Sequence, residues 1–578
     1  MIEYLERRTL LTAGLASGRL TLNTSWFPES FVVTSNAQNI IVDIVVEGFH
    51  AEYPKGLVTA IIVNCLPNAN TAVPGDEITI AQSVTVPATL NGGGRDDVIN
   101  VGGGPTVVNG GDGADSVVGG PANDTLSGGA GRQQSGPVEA ADDTLFGGGG
   151  NDLLKGQGGP GNTVGDSLVG GPGDDTLEGG AGPDTIDGGA GRDVLSYADK
   201  TSGQDVNVVF PNPPNPFFAP NNANEPEFQG QGVVEVRNGV RVVIEHDQVV
   251  EASIEAVTGG AGDDFVTPSG GGFNGGFTIH GGAGSDTLFG SGGPDVIDGG
   301  ATGLDQVFGL NGNDTLSGGN GGDSVDGGPG DDLLKGDDTN PADDGPDTLF
   351  GAAGNDTIEG HHGKDLMEGG SGDDLILAGT GNNTGSDTVQ GDDGFDVVDY
   401  SLRAHDLKVT FNDVHDDGAV GEFDFVTETT EVVLAGSGND NLSSTFDGRG
   451  RRLVGGVGND TLVGGAGDDT LDGGAGDDSL NGGFGADLLL GGAGTKDTLD
   501  FSSRTIGVFV TADGLGNDGQ SGEGDNVAGF ETLIGGSGND SLDLSTADPS
   551  TRVSIIGGLG DDFINGGEGD DKIGRAHV

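Results

Sequence analysis

The stretch that decides the fold runs from Gly455 to Leu490 and reads GGVGNDTLV, GGAGDDTLD, GGAGDDSLN, GGFGADLLL. Its leading glycines fall at Gly455, Gly464, Gly473 and Gly482, a period of nine with no slippage. Each unit is Gly-Gly-x-Gly-x-Asp-x-U-x, where U is large and apolar: Leu462, Leu471, Leu480 and Leu489. A period this short, held this strictly, predicts a solenoid. Six glycine-rich residues make a tight turn, because only glycine takes positive φ without steric cost. The remaining x-U-x is a short strand whose middle side chain points inward and whose neighbours point outward. Two units then make one flattened coil, so Leu462 stacks on Leu480 and Leu471 on Leu489, about 4.8 Å apart.

Each column of turns carries one carboxylate per coil, here from Asp460, Asp469, Asp478 and Asp487, together with bent backbone carbonyls. Oxygen-only ligands in a flexible loop suit Ca²⁺, which accepts six to eight of them, better than Mg²⁺, which keeps its waters. Zn²⁺ would ask for Cys or His, and neither recurs in the unit. These units resemble the nonapeptide repeats of the RTX (haemolysin-type) calcium-binding proteins. The resemblance implies a right-handed parallel β-roll in which the Asp and the turn carbonyls of stacked loops share multiple Ca²⁺ ions. It also implies export by a one-step secretion system that reads a C-terminal signal.

Asp and Glu number 92 against 23 Lys and Arg, a formal net charge of −69. Such a surface repels nucleic acid and anionic membranes and attracts cations. With 120 glycines the composition alone would suit a disordered chain. The apolar residue at every ninth position argues for order instead, provided that a cation neutralises the carboxylates. Cys65 is the one cysteine, so no internal disulfide forms; bound Ca²⁺ is the expected staple of an extracellular fold. No apolar run reaches membrane-spanning length.

Taken in order, residues 1–18 hold LERRTLLTA, which resembles a short N-terminal motif of exported, repeat-rich proteins, and are expected to be an export-related segment. Residues 19–90 lack the Gly-Asp units and carry short β-rich runs such as Ile40 to Val46 and Leu57 to Val63, so they are expected to form a β-rich cap on the first coil. Residues 91–196 form the first repeat block, with carboxylates at Asp115, Asp124, Asp152, Asp175, Asp184 and Asp193. Residues 197–258 break the pattern with a Pro/Asn-rich loop, PNPPNPFFAPNNANEP, and a hairpin signal at Asn238-Gly239. The second block, 259–399, offers Asp264, Asp286, Asp295, Asp314, Asp323, Asp332, Asp356, Asp365, Asp374 and Asp396. After the break at 400–433, the third block, 434–500, adds Asp440 to the four Asp of the opening stretch. After a further break at 501–533, the fourth block, 534–573, holds Asp540, Asp562 and Asp571.

The three breaks share a plan: an aromatic hinge at Tyr197, Tyr400 or Phe501, a strand, an acidic loop, then a strand led by Glu255, Glu431 or Glu531. They are read as widened coils of the same solenoid. The final IGRAHV matches one reading frame of a common sequencing adapter, so residues 574–578 are expected to be a sequence artefact and the true C-terminus to be lost.

Several motifs mislead. Gly-x-Gly-x-x-Gly arises from composition without a βαβ unit, and the Asn-Asp-Thr/Ser sequons at Asn123, Asn313, Asn459 and Asn539 are by-products of the repeat. Neither His-Glu-x-x-His nor Gly-x-Ser-x-Gly occurs, which removes the protease and lipase signatures. His361-His362 is read as a degenerate turn rather than a transition-metal pair, and Lys155 and Lys335, at ninth positions, point outward. The expected protein is a non-enzymatic, extracellular Ca²⁺-binding repeat protein with a structural or surface-associated role, free of nucleic-acid partners and membrane spans. The alternatives are the repeat region of a secreted enzyme whose catalytic domain lies beyond the lost terminus, or an adhesin.

Overall fold

Leu462 pairs with Leu480 and Leu471 with Leu489 in parallel register, eighteen residues apart. That register is the two-units-per-coil arrangement which the nonapeptide period requires, and it defines a parallel, stacked β-solenoid. The computed structural model describes residues 12–23, 30–36, 38–44, 49–65, 75–129, 143–157, 165–180, 184–197, 207–209, 234–237, 240–243, 248–249, 256–267, 276–337, 345–378, 385–411, 414–419, 423–444, 448–511, 515–544, 552–567 and 570–574. Among them every regular element is a strand apart from one 3-10 turn, Lys55–Leu57. The Pro/Asn-rich loop, the Asn238-Gly239 turn, Glu255, most of LERRTLLTA and the last four residues lie outside the described residues.

The chain divides into two units, residues 1–299 and 300–578. In the first unit one ladder runs through Arg19–Asn23, Ala60–Asn64, Ala88–Gly94, Thr106–Asp112, Thr125–Gly129, Leu153–Gln157, Thr176–Gly180 and Val194–Ser196. A second runs through Ser30–Ser35, Glu77–Ile80, Val98–Asn100, Ser116–Val118, Thr144–Phe146, Ser167–Pro172 and Thr185–Ala190. The β-rich residues 19–90 thus pair in the same two ladders as the repeats. Antiparallel strands adjoin their N-terminal ends: Thr12–Ala16 on one ladder, and Asn39–Ile44 followed by Phe49–Pro54 on the other. Strands Val234–Arg237 and Val240–Val243 form the antiparallel hairpin that the sequence signalled.

The second unit repeats the plan around inward Leu, Ile, Val and Met side chains that are at most 1% exposed, until Ile564 and Ile573 at the end of the described chain, which are half-buried and exposed respectively. Some strands are the bare x-U-x of Thr470–Asp472, whereas others, such as Thr461–Ala466, run on into the next turn. Its two breaks are lateral steps rather than separate domains. The ladder of Thr388–Asp393 ends at Phe425–Val426, while Leu407–Thr410 starts a new ladder on Asn441–Ser443. Likewise the ladder through Leu488–Leu490 reaches Asn526–Ala528, while Val508–Val510 starts one on Ser541–Asp543.

The stack dictates the glycines. Gly474 has φ +91°, and a Cβ there would collide with the carbonyl oxygen of Gly456 one coil earlier. Among the described residues five turns break this rule: Gln157, Leu310, Ala352, His361 and Asp392 occupy the second position with φ between 66° and 79°. Each holds a left-handed conformation that costs about 1–2 kcal/mol outside glycine. We expect Ala352→Gly to stabilise the calcium-loaded protein by about 0.5–1 kcal/mol and Gly474→Ala to destabilise it by roughly 2–4 kcal/mol. Thermal melting in saturating Ca²⁺ measures both; shifts of the opposite sign would contradict the stacking argument.

Candidate metal centre

The sixth-position Asp does two things in each turn. Its Oδ1 accepts the backbone N–H of the residue that holds the same place one coil earlier: Asp460 N–H donates to Asp478 (2.8 Å) and Asp469 N–H to Asp487 (3.0 Å). No such bond joins Asp460 to Asp469, so successive units serve different columns, as two units per coil requires. A carboxylate accepting an amide gives a charge-assisted bond, worth about 1.5–3 kcal/mol.

These bonds order every carboxylate singled out by the sequence into columns. In the first unit one column links Asp124, Asp152, Asp175 and Asp193, and Asp295 stands above Phe277. A second links Asp76, Asp97, Asp115, Asp143, Asp166 and Asp184. A third joins Asp264 to Asp286. In the second unit one column runs Asp314, Asp332, Asp356, Asp374, Asp396, Glu431 and then Arg451, Asp469, Asp487, Asp525. Another runs Asp305, Asp323, Asp347, Asp365, Asp387, Asp424. A third runs Asp440, Asp460, Asp478, Asp497, Glu531. Asp540 and Asp562 start a fourth, and Asp571 accepts from Val553. Asp562 and Asp571, at the end of the described chain, are half-buried where the others are buried.

The reading by glycine pairs missed Asp76, Asp97, Asp143, Asp166, Asp305, Asp347, Asp387, Asp424, Asp497 and Asp525, which hold the same position. Their turns have lost glycines or gained residues, but each keeps Asp-x-U, as in Asp347-Thr348-Leu349 and Asp497-Thr498-Leu499. The triplet was the signal. Glu431 and Glu531 also take the Asp place, accepting from Asp396 N–H (2.9 Å) and Asp497 N–H (3.0 Å).

The second carboxylate oxygen is the unusual group. In Asp115, Asp152, Asp175, Asp332, Asp356, Asp374, Asp460, Asp478 and Asp487, among others, Oδ2 is buried without a hydrogen-bond donor. It faces a gap that exists because the first residue of the unit has no Cβ. A Cβ on Gly351 would lie 2.5 Å from both Asp356 Oδ2 and the carbonyl oxygen of Gly369 on the next coil. One on Gly473 would lie 2.6 Å from Asp478 Oδ2 and 2.5 Å from Gly491 O. A buried carboxylate oxygen costs free energy unless a donor or a cation meets it. Among the described residues no three Asp, Glu, His or Cys side chains converge on one point. The donor set beside each gap is therefore one carboxylate and peptide carbonyls, hard oxygen ligands throughout, which fits Ca²⁺.

An outer ladder runs the opposite way. The fifth-position Asn or Asp accepts from the following coil: Asp477 N–H donates to Asn459 Oδ1 (2.8 Å), and Asp373 N–H to Asn355 Oδ1 (2.8 Å). These side chains are exposed and were not singled out by sequence, although Asn-Asp and Asp-Asp recur there. His361 sits in a turn with its Nε2 3.3 Å from Glu359 Oε1, and burial holds its imidazole below the usual range. Lys155 and Lys335 point outward as expected and meet Glu178 and Glu359 one coil on, at 2.6 and 3.9 Å.

Against known families, the RTX calcium-binding nonapeptide repeat matches the chain at residues 102–132, 139–159, 160–196, 278–302, 300–334, 341–376, 454–489, 522–545 and 554–573. No curated protein matches it. These segments carry RTX-type calcium-binding nonapeptide repeats, and such repeats bind multiple Ca²⁺ ions.

Burial pushes the carboxyls of Asp460 and Asp356 up to about 7, that of Asp115 to about 8 and that of Asp365 to about 9. A carboxyl raised on folding contributes stability that is complete below its unfolded value of about 4 and is lost as pH rises through the folded value. Freed of divalent cations, the protein should therefore gain β structure when acidified from about pH 9 toward pH 4. Circular dichroism in chelator across that range checks the sign; structure that grows with rising pH would contradict it.

Proposed function

We propose that the protein is an extracellular, structural or surface-associated calcium-binding protein that folds on Ca²⁺ after export, with the sixth-position Asp as side-chain ligands. The observation that carries this reading is the column of buried Oδ2 atoms, which at Asp356, Asp460 and Asp478 face a neighbouring coil's carbonyl across the gap left by a glycine. Asp460, Asp478 and the equivalent residues of the other columns would hold the ion with carbonyls of the stacked turns. The bound ion supplies positive charge between successive coils. The chain's own part is to present oxygens: the ladder bond through Oδ1 fixes each carboxylate, and the close glycine contacts shut out water. The repeat blocks 91–196, 259–399, 434–500 and 534–573 are the binding regions in this reading.

The energetics favour folding outside the cell. Carboxylates one coil apart, about 5 Å, repel by on the order of 1 kcal/mol per pair even in water. Dozens of such contacts exceed the 5–15 kcal/mol margin typical of a domain. A core of one apolar residue in nine does not offset that. A cation beside each pair reverses the sign, and binding to the folded state adds stability by mass action. Extracellular modules commonly bind Ca²⁺ at about 10⁻⁴–10⁻³ M, so the chain stays unfolded in cytosol and folds on release.

Circular dichroism of the full chain at neutral pH, in chelator and then in millimolar Ca²⁺, tests this reading. A β spectrum is expected only with Ca²⁺. A spectrum unchanged by the ion would overturn it.

A further inference from the structure

Arg403 and Arg504 are 3% and 4% exposed, in a chain whose charge is overwhelmingly acidic. They stand 101 residues apart at matching points of the two widened coils of the second unit, each three residues after the aromatic hinge, Tyr400 or Phe501. Each lies beside the last carboxylate of a column. Asp424 ends the column that enters through Asp387, and Asp525 ends the one that enters through Asp487. The surroundings repeat as well: Asp417 and Asp424 form an antiparallel bridge, as do Asp518 and Asp525.

Arg403 donates from Nε and Nη2 to the carbonyl of Ala378, at 3.0 and 2.7 Å, and its Nη2 lies 4.0 Å from Asp424 Oδ2. Ala378 stands where the first glycine of a unit belongs, so the guanidinium meets a first-position carbonyl and a sixth-position carboxylate. Those are the two oxygen types that flank the gap in ordinary turns. Arg504 makes a two-pronged pair with Glu523, at 2.9 and 3.2 Å, and its charge bears on Asp487 and Asp525. Its planar group lies 4.4 Å from the Phe484 ring centroid, which orients it without a further ligand.

The starts of columns are closed differently. At Asp124, Asp264 and Asp540 the Oδ2 that faces the gap elsewhere accepts the second-position amide of its own turn, from Gly120 (2.8 Å), Gly260 (2.7 Å) and Gly536 (2.9 Å). In the first unit the column from Asp76 opens with a buried ion pair to Arg95 (3.4 Å). The column ends at Asp76, Asp124, Asp264, Asp424, Asp525 and Asp540 are thus met by groups of the chain itself, whereas interior turns such as those of Asp460 and Asp478 leave the oxygen to an ion.

We propose that Arg403 and Arg504 are built-in cations that take the place of Ca²⁺ at the last coil of a column. They set where each row of ions stops and let the widened coils close without metal. This rests on the reading that the columns hold Ca²⁺. The first widened coil carries Lys200 three residues after Tyr197, the same charge at the same offset in the sequence.

The test uses the full chain with Arg504→Gln or Arg504→Lys. Bound Ca²⁺ is measured by equilibrium dialysis, and the thermal midpoint is followed against Ca²⁺ concentration. Arg504→Gln should melt below the parent at the lowest Ca²⁺ that saturates the parent, and the deficit should narrow as Ca²⁺ rises. The steeper dependence reports one more ion taken up on folding, and dialysis should find that ion. Arg504→Lys should keep the parent's slope and ion count. Parallel melting curves with an unchanged ion count would overturn the proposal. Equal losses in both variants would overturn it too, because Arg504 would then act by packing. A parent chain that takes up no Ca²⁺ would instead overturn the underlying reading of the columns.

Discussion

A carboxylate oxygen buried in the interior turns of each column, as at Asp356, Asp460 and Asp478, with no donor to meet it, is the constraint on which the rest depends. The turn can bring Oδ2 so close to the backbone only because the first residue is glycine. The neighbouring coil approaches closely because the second and fourth residues are mostly glycines too, as at Gly474 and Gly476. Oδ1, tied to the previous coil's amide, then keeps each carboxylate from swinging out to solvent. The apolar U residues fix the coil-to-coil register, but they form a single file on each side. They stabilise an arrangement whose charges have already been neutralised and are too few to impose it.

Much of this was legible in the sequence, because a strict period constrains geometry. With nine residues per unit and two units per coil, the i+18 pairing of Leu462 with Leu480 follows, and so does the split of Asp469 and Asp478 between columns. The sequence was less legible where the period slips. Asp347 and Asp387 keep their place in the ladder although their turns have lost the glycine pair, and Asp497 although its turn has gained a residue, because the strand, not the turn, sets the register. Glu431 and Glu531 were seen only as strand-leading acids. Their longer side chains span to the previous coil, which a reading built on Asp does not anticipate. The outer Asn/Asp ladder was missed because exposed polar residues in a turn carry no periodic apolar signal.

The widened coils show how a solenoid changes its cross-section without a break. One ladder ends and another begins at its side, while the remaining ladder continues through the step, as Val397–Asp399 continues to Val432–Leu434 and Thr498–Asp500 to Thr532–Ile534. The step exposes the end of a carboxylate column to a wider interior. Tyr400, Phe411 and Phe501, all at most 1% exposed, fill that interior, and a buried arginine stands at the column's end. An aromatic residue, then Arg three positions later, then Asp twenty-one positions after the Arg, is the sequence mark of this device in both steps. It was read as an aromatic hinge, because one sequence does not disclose what an arginine meets across a coil.

The central claim is that Ca²⁺ lies inside the columns, between successive sixth-position carboxylates. The most direct measurement is a crystal structure of the calcium-loaded protein with anomalous scattering from calcium. Peaks should line the inner columns, beside Asp356 and Asp374 and beside Asp460 and Asp478, and should stop at Asp424 and Asp525. Peaks confined to the outer Asn459 and Asp477 ladder, or inner columns without peaks, would contradict it.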